Sequence, residues 1–197
     1  MRMVNVIRET KNGGDCYPVE DHFFNKRSLF LTEEVNQQSV AELIKNFLYL
    51  DQIAPGKPIK LFISSLGGNI NAGLCLYNVI RMLRSPVKTI NIGTAASMAS
   101  ILFLSADTRL MLPDSLLMIH DPSAYFEEGL TKTNDVKERL ETLLVFRERL
   151  SGIISERSGK PINDVNQKTA QETWFTANQA VEYGIATGIV ESISTLL

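Results

Sequence analysis

The chain predicts an α/β fold, and three observations carry that prediction. Short apolar runs of strand length at 59–64, 87–92 and 116–120 alternate with stretches whose apolar residues recur at helical spacing, at 36–50 and 134–158. Glycine and proline punctuation separates them, as in APGKP at 54–58. The 197 residues, 44% hydrophobic and 21% charged, suffice for one domain with a sizeable core.

Composition narrows the function classes. A net charge of −2 offers no basic footprint for nucleic acid. No apolar run reaches the roughly 18 residues needed to span a bilayer. The opening MRMVNVIRETKNGG lacks the apolar stretch of a secretory signal, so a cytoplasmic location is expected. The two cysteines, Cys16 and Cys75, suggest no disulfide framework. Leu74 and Leu76 suggest that Cys75 is a buried core thiol rather than a nucleophile. No Cys/His cluster has metal-ligand spacing, and no cofactor is expected. The two histidines, His22 and His120, leave few choices of general base.

Taken in order, residues 1–20 are polar, contain Gly13 and Gly14, and read as a flexible arm; 21–197 read as one domain. Residues 27–31, RSLFL, read as a strand. The helix at 36–50 carries Val40, Leu43, Ile44, Phe47 and Leu48 on one face. A buried strand at 59–64 leads into SSLGGNINAG and a helix to about 84. Gly67 and Gly68 after that strand fit either an anion-holding concavity or a plain tight turn. Neither a P-loop nor a dinucleotide fingerprint is present. A strand at 87–92 precedes a helix at 96–106. Residues 109–112 and 116–120 read as a short strand pair around the turn at Pro113-Asp114. His120 ends the run LLMIH; Asp121 follows it on the opposite face and is a poor partner to orient it. Residues 123–130 read as a loop or exposed strand. Asn134 is the expected N-cap of a long helix to 158, with Gly159 as its stop. That helix would be about 37 Å long, and part of it is expected to protrude against another subunit. Residues 160–175 read as irregular to helical, 177–183 as a short helix and 189–193 as the last strand.

The stretch 91–105, NIGTAASMASILFLS, is the most informative. Ser97 falls where a helix would begin, behind Gly93, Thr94, Ala95 and Ala96, whose small side chains allow a sharp bend. A hydroxyl at a helix start is placed among free amide N–H groups, as a serine nucleophile and its oxyanion require. The same residues also suit a strand–turn–helix joint with no chemistry.

Together these motifs identify a resemblance. LFISSLGGNINAG, IGTAASMAS, LPDSLLMIHDP, ERSGKPINDV and FTANQAVEYGI occur in the order and spacing of the ClpP family, the proteolytic subunits of ATP-dependent Clp proteases. The resemblance runs from about 24 to 193. It implies a ClpP/crotonase-like fold of repeated β-β-α units, with residues 134–158 as the protruding handle helix. It implies a serine endopeptidase with Ser97 as nucleophile, His120 as general base, and the backbone N–H groups of Gly68 and Met98 as the oxyanion hole. Counting to the family's catalytic aspartate gives Glu172, one methylene longer. Ser123, Ala124 and Tyr125 match the segment that binds substrate by strand addition. The implied partners are heptameric rings stacked into a tetradecamer, an AAA+ ATPase of the ClpX, ClpC or ClpA type, and unfolded polypeptides, without nucleic acid or membrane.

The departures from the family pattern are specific. Its ring-linking Asp-Arg pair is Ala170-Gln171 here, so single rings or a concentration-dependent equilibrium are expected. Its aromatic docking positions are Lys60, Phe62 and Met82, and its Gln-Pro-Gly-Gly after the histidine is Asp121-Pro122-Ser123-Ala124. These suggest a divergent paralogue that works with a second ClpP. Three readings follow: an active peptidase subunit, a largely inactive structural or regulatory ring subunit, and an acyl-thioester enzyme of the crotonase-like superfold. A covalent adduct on Ser97 separates the last from the first.

Overall fold

The computed structural model describes residues 5–10, 13–123 and 132–196. Its elements run β1 (Asn5–Thr10), β2 (Gly13–Pro18), α1 (Val19–Asn25), β3 (Ser28–Leu31), α2 (Gln37–Ile53), β4 (Ile59–Ser65), α3 (Ile70–Met82), β5 (Val87–Ala96) and α4 (Met98–Phe103). They continue as β6 (Thr108–Met111), β7 (Leu116–Ile119), α5 (Thr133–Ser158), α6 (Ile162–Thr169), β8 (Thr173–Thr176), α7 (Ala177–Tyr183) and β9 (Gly188–Ile189), with a 3₁₀ turn at Ile193–Thr195. The α/β expectation holds. The polar segment read as an arm pairs β1 with β2 in an antiparallel ribbon separate from the main sheet.

The main sheet runs β3-β4-β5-β6-β9, with β7 pairing β5 and β8 pairing β7. All pairs but β7–β8 are parallel. Parallel strands are covered on both faces, and β4 shows it: Ile59, Leu61, Phe62 and Ile63 are all buried. Full burial of such side chains contributes about 1.5–3 kcal/mol each. The strand pair expected from residues 109–120 does not form. β6 and β7 each pair with β5 instead, at Lys88–Asn91 and Thr94–Ala96 respectively.

The exchange of partners along β5 is built by one irregularity. Register slips between Ile63↔Asn91 and Ser65↔Ala95, so β5 bulges across residues 92–94. Asn91 is fully buried there; its Nδ2 donates to the Leu116 carbonyl at 2.9 Å and its Oδ1 accepts from Gly93 N–H at 3.1 Å. Gly93 lies so close to Ser64 Oγ that a Cβ would meet it at 2.7 Å. The bulge delivers the end of β5 to β7.

Capping follows local chemistry. Asn36 and Ser39 form a reciprocal capping box at α2, as do Thr176 and Gln179 at α7. The expected Asn134 cap of α5 is displaced: the helix starts at Thr133, after Lys132, with no side-chain cap. Gly159 stops it in the left-handed conformation, φ 72°. Only the last turns of α5 are buried, at Leu150, Ser151, Ile153 and Ile154; Val136, Leu140, Leu144 and Val145 are exposed. Cys75, read as a core thiol, is exposed, because its neighbours Leu74 and Leu76 face inward while it points off the helix. Among the described residues, no helix is long and apolar enough to cross a membrane.

Candidate active site

Ser97 occupies the joint between β5 and α4. Its backbone has φ 53° and ψ −124°, a conformation that costs a non-glycine residue on the order of 1–3 kcal/mol. The surroundings hold it there. Its N–H donates to Met118 O at 3.0 Å, and its carbonyl accepts from Ser100 N–H at 3.0 Å and from Ser100 Oγ at 2.7 Å. The hydroxyl therefore stands off a sharp strand-to-helix turn, as a nucleophile must.

Strand register brings His120 to it. β5 and β7 run parallel with Ala96 opposite Met118, so Ser97 and His120 lie just past the paired ends of neighbouring strands. His120 Nε2 and Ser97 Oγ are 2.7 Å apart. With the ring proton on Nδ1, Nε2 accepts the hydroxyl hydrogen bond and can take the proton when oxygen attacks a carbonyl.

The glycine pair packs against this joint. Gly67 (φ 98°) and Gly68 (φ 143°) both have positive φ. A Cβ on Gly67 would stand 2.7 Å from Ala96 O, 2.8 Å from Met98 N and 2.8 Å from Ser97 Cβ. One on Gly68 would collide with the Val35 carbonyl, whose N–H is held by Gly67 O at 2.8 Å. Among the described residues, no hydrogen bond engages Gly68 N–H. Met98 N–H, in the first position of α4, has no carbonyl of its own helix to reach. Gly68 and Met98 line the same cavity as Ser97. Met98 is fixed from behind by Gly73 of α3, where any Cβ would strike the Met98 side chain.

A cavity of about 70 Å³ opens beside the pair, with Ile70, Ile101, Leu150 and Ile154 among its walls and Asp121 and Arg147 among its polar lining. Ser123 sits at its edge and is exposed; Ala124 and Tyr125 lie outside the described residues.

Glu172 is exposed, between α6 and β8. The pairing Ile119↔Thr173 would set it opposite His120 if the ladder continued. The ladder stops there, because Asp121 N–H turns to Thr169 O at 2.7 Å and residues 170–172 bow out. Among the described residues, no carboxylate bonds to His120. Ala170 and Gln171 are exposed on the same bow. Of the positions that the resemblance matches to a docking pocket, Phe62 is buried, Met82 is 84% exposed, and Lys60 Nζ donates to Leu196 O at 2.6 Å.

Sequence reasoning missed three participants. Ser100 holds the Ser97 carbonyl through its N–H and its Oγ, a side-chain bond to the backbone three residues before it. Gly73 braces Met98. The Asp121–Arg147 contact joins residues far apart in the chain, and no local pattern signals it. Among the described residues, no cluster of three or more His, Cys, Asp or Glu could hold a metal ion. The sequence matches the family model for Clp protease over residues 11–193.

Proposed function

Because the chain belongs to the Clp protease family, we propose that it is a serine endopeptidase subunit of a cytoplasmic, self-compartmentalised protease that hydrolyses unfolded polypeptides delivered by an AAA+ unfoldase. The observation that carries the reading is the 2.7 Å contact of His120 Nε2 with Ser97 Oγ. His120 takes the Ser97 proton as Oγ bonds to the scissile carbonyl carbon. The oxyanion settles on the N–H groups of Gly68 and Met98. The C–N bond then breaks as His120 gives the proton to the leaving amine, and water repeats the sequence to release the acid. Residues 123–125 hold the substrate strand, and the exposed apolar stripe of α5 packs on another subunit of a heptameric ring or its stacked partner.

Glu172 is the candidate third member. A carboxylate on Nδ1–H would fix the productive tautomer, and an inward movement of residues 170–172 in an assembled ring would bring it there. A second reading is favoured by the same bow. With His120 unsupported in the single chain, the subunit is a structural or regulatory ring member that a catalytic paralogue completes. The test is hydrolysis of unfolded casein and of fluorogenic peptides by the purified protein, by Ser97→Ala, and by each mixed with a catalytic paralogue. Turnover by the wild-type protein alone, absent in Ser97→Ala, supports the peptidase. Identical behaviour of the two proteins in every mixture establishes the regulatory reading.

A further inference from the structure

Two atoms in the wall of the pocket beside Ser97 are buried without a hydrogen-bond partner: Asp121 Oδ1 and Arg147 Nε. Their side chains meet as an ion pair, with Arg147 Nε 3.0 Å from Asp121 Oδ2. The distance is short, but the Nε–H does not point at the carboxylate, so the pair is held by charge while a donor and an acceptor stay unused. Native proteins leave few such groups, because each forfeits a hydrogen bond it would make in water. Ile70, Ile101, Leu150 and Ile154 present only carbon to the cavity, and none of the hydroxyls that also line it, such as Ser151 and Thr169, bonds to either atom. The two side chains are not locked in: they are 32% and 40% exposed, so the pair can swing to meet an entering group.

One acceptor and one donor side by side match a primary carboxamide. Its NH₂ donates to Asp121 Oδ1 while its carbonyl accepts from Arg147 Nε–H. Neither a lone cation nor a lone carboxylate satisfies both, and an apolar side chain satisfies neither. Asp121 follows His120 directly and its N–H is tied to Thr169 O at 2.7 Å, so its backbone is anchored beside the dyad while its carboxyl can turn to meet the ligand. We propose that Asp121 and Arg147 are specificity-determining residues that select glutamine or asparagine on the acyl side of the cleaved bond. The proposal rests on the peptidase reading of this same pocket.

The test separates the two. Fluorophosphonate labelling of the wild-type protein reports the dyad alone. Selectivity is read in the Ser97→Ala protein, by titrating product peptides identical except for a C-terminal Gln, Leu or Glu. The expected result is binding of the Gln peptide about 10-fold tighter than either of the others. In the double variant Asp121→Leu/Arg147→Met, which removes both partners together and leaves no orphan charge, the order should reverse in favour of Leu. Equal or tighter binding of Leu or Glu in the Ser97→Ala protein overturns the proposal whether or not Ser97 labels. So does a Gln preference that survives the double substitution.

Discussion

Gly67→Ala is the substitution on which the geometry of the site speaks most directly. The new methyl would meet Ala96 O at 2.7 Å, Met98 N at 2.8 Å and Ser97 Cβ at 2.8 Å. None of these is the free end of a flexible side chain. At φ 98°, alanine adds about 1–2 kcal/mol of backbone strain, and the overpacking adds about 1–3 kcal/mol. The sum, about 2–5 kcal/mol, lowers Tm by roughly 5–20 °C in a domain of this size. The methyl also presses on Ser97, the candidate nucleophile, and on Met98 N–H, a candidate oxyanion donor. A displacement near 1 Å costs about 100-fold in rate. Gly152→Ala is the control: it lies within α5, has ordinary φ, and a Cβ there meets nothing within 4 Å. It should raise stability by about 0.5–1 kcal/mol through helix propensity alone. Circular dichroism melts and the fluorophosphonate labelling rate read both effects. A Gly67→Ala protein that melts and labels like wild type would refute the packing argument.

Three further outcomes are expected. Arg109 is 6% exposed and donates to the carbonyls of Ile185 (2.6 Å), Ala106 (3.1 Å), Arg157 (3.1 Å) and Gly184 (3.1 Å), so Arg109→Met should destabilise by about 3–5 kcal/mol in urea titrations. Hydrogen bonds from Arg157 and Arg81 hold the Asp107 carboxyl below its ordinary range. Its folded-state pKa is depressed, so its contribution is complete above the unfolded value near pH 4 and fades as pH falls through the folded one. Melts of Asp107→Asn should therefore lose part of the acid-side dependence that the wild type shows below about pH 4. If Glu172 orients His120 in the assembled particle, Glu172→Gln should lower kcat by about 10³- to 10⁴-fold while Glu172→Asp retains activity, measured with fluorogenic peptides.

Much of the fold was legible because local chemistry and tertiary structure agree. The strand at 59–64 and the helix at 36–50 are written in apolar periodicity, and Gly159 ends α5 as its left-handed conformation requires. Pairing was not legible. Residues 109–120 look like a hairpin locally, but the bulge around Gly93 lets β5 accept β6 and β7 in succession. Cys75 misled for a related reason: one fully buried and one half-buried flanking leucine say nothing of the helix face between them. At the site, Ser97 and His120 were readable from motif position, and register places them in contact. Glu172 was readable as a position in the chain, while its distance from His120 depends on the bow at 170–172 that the Asp121–Thr169 bond creates.

The most direct measurement is tandem mass spectrometry of the protein after fluorophosphonate treatment, mapping the adduct to a residue in the wild-type, Ser97→Ala and His120→Ala proteins. The account predicts one adduct on Ser97 in the wild type and none in either variant. An adduct elsewhere, or labelling of Ser97 that proceeds equally well without His120, would contradict it.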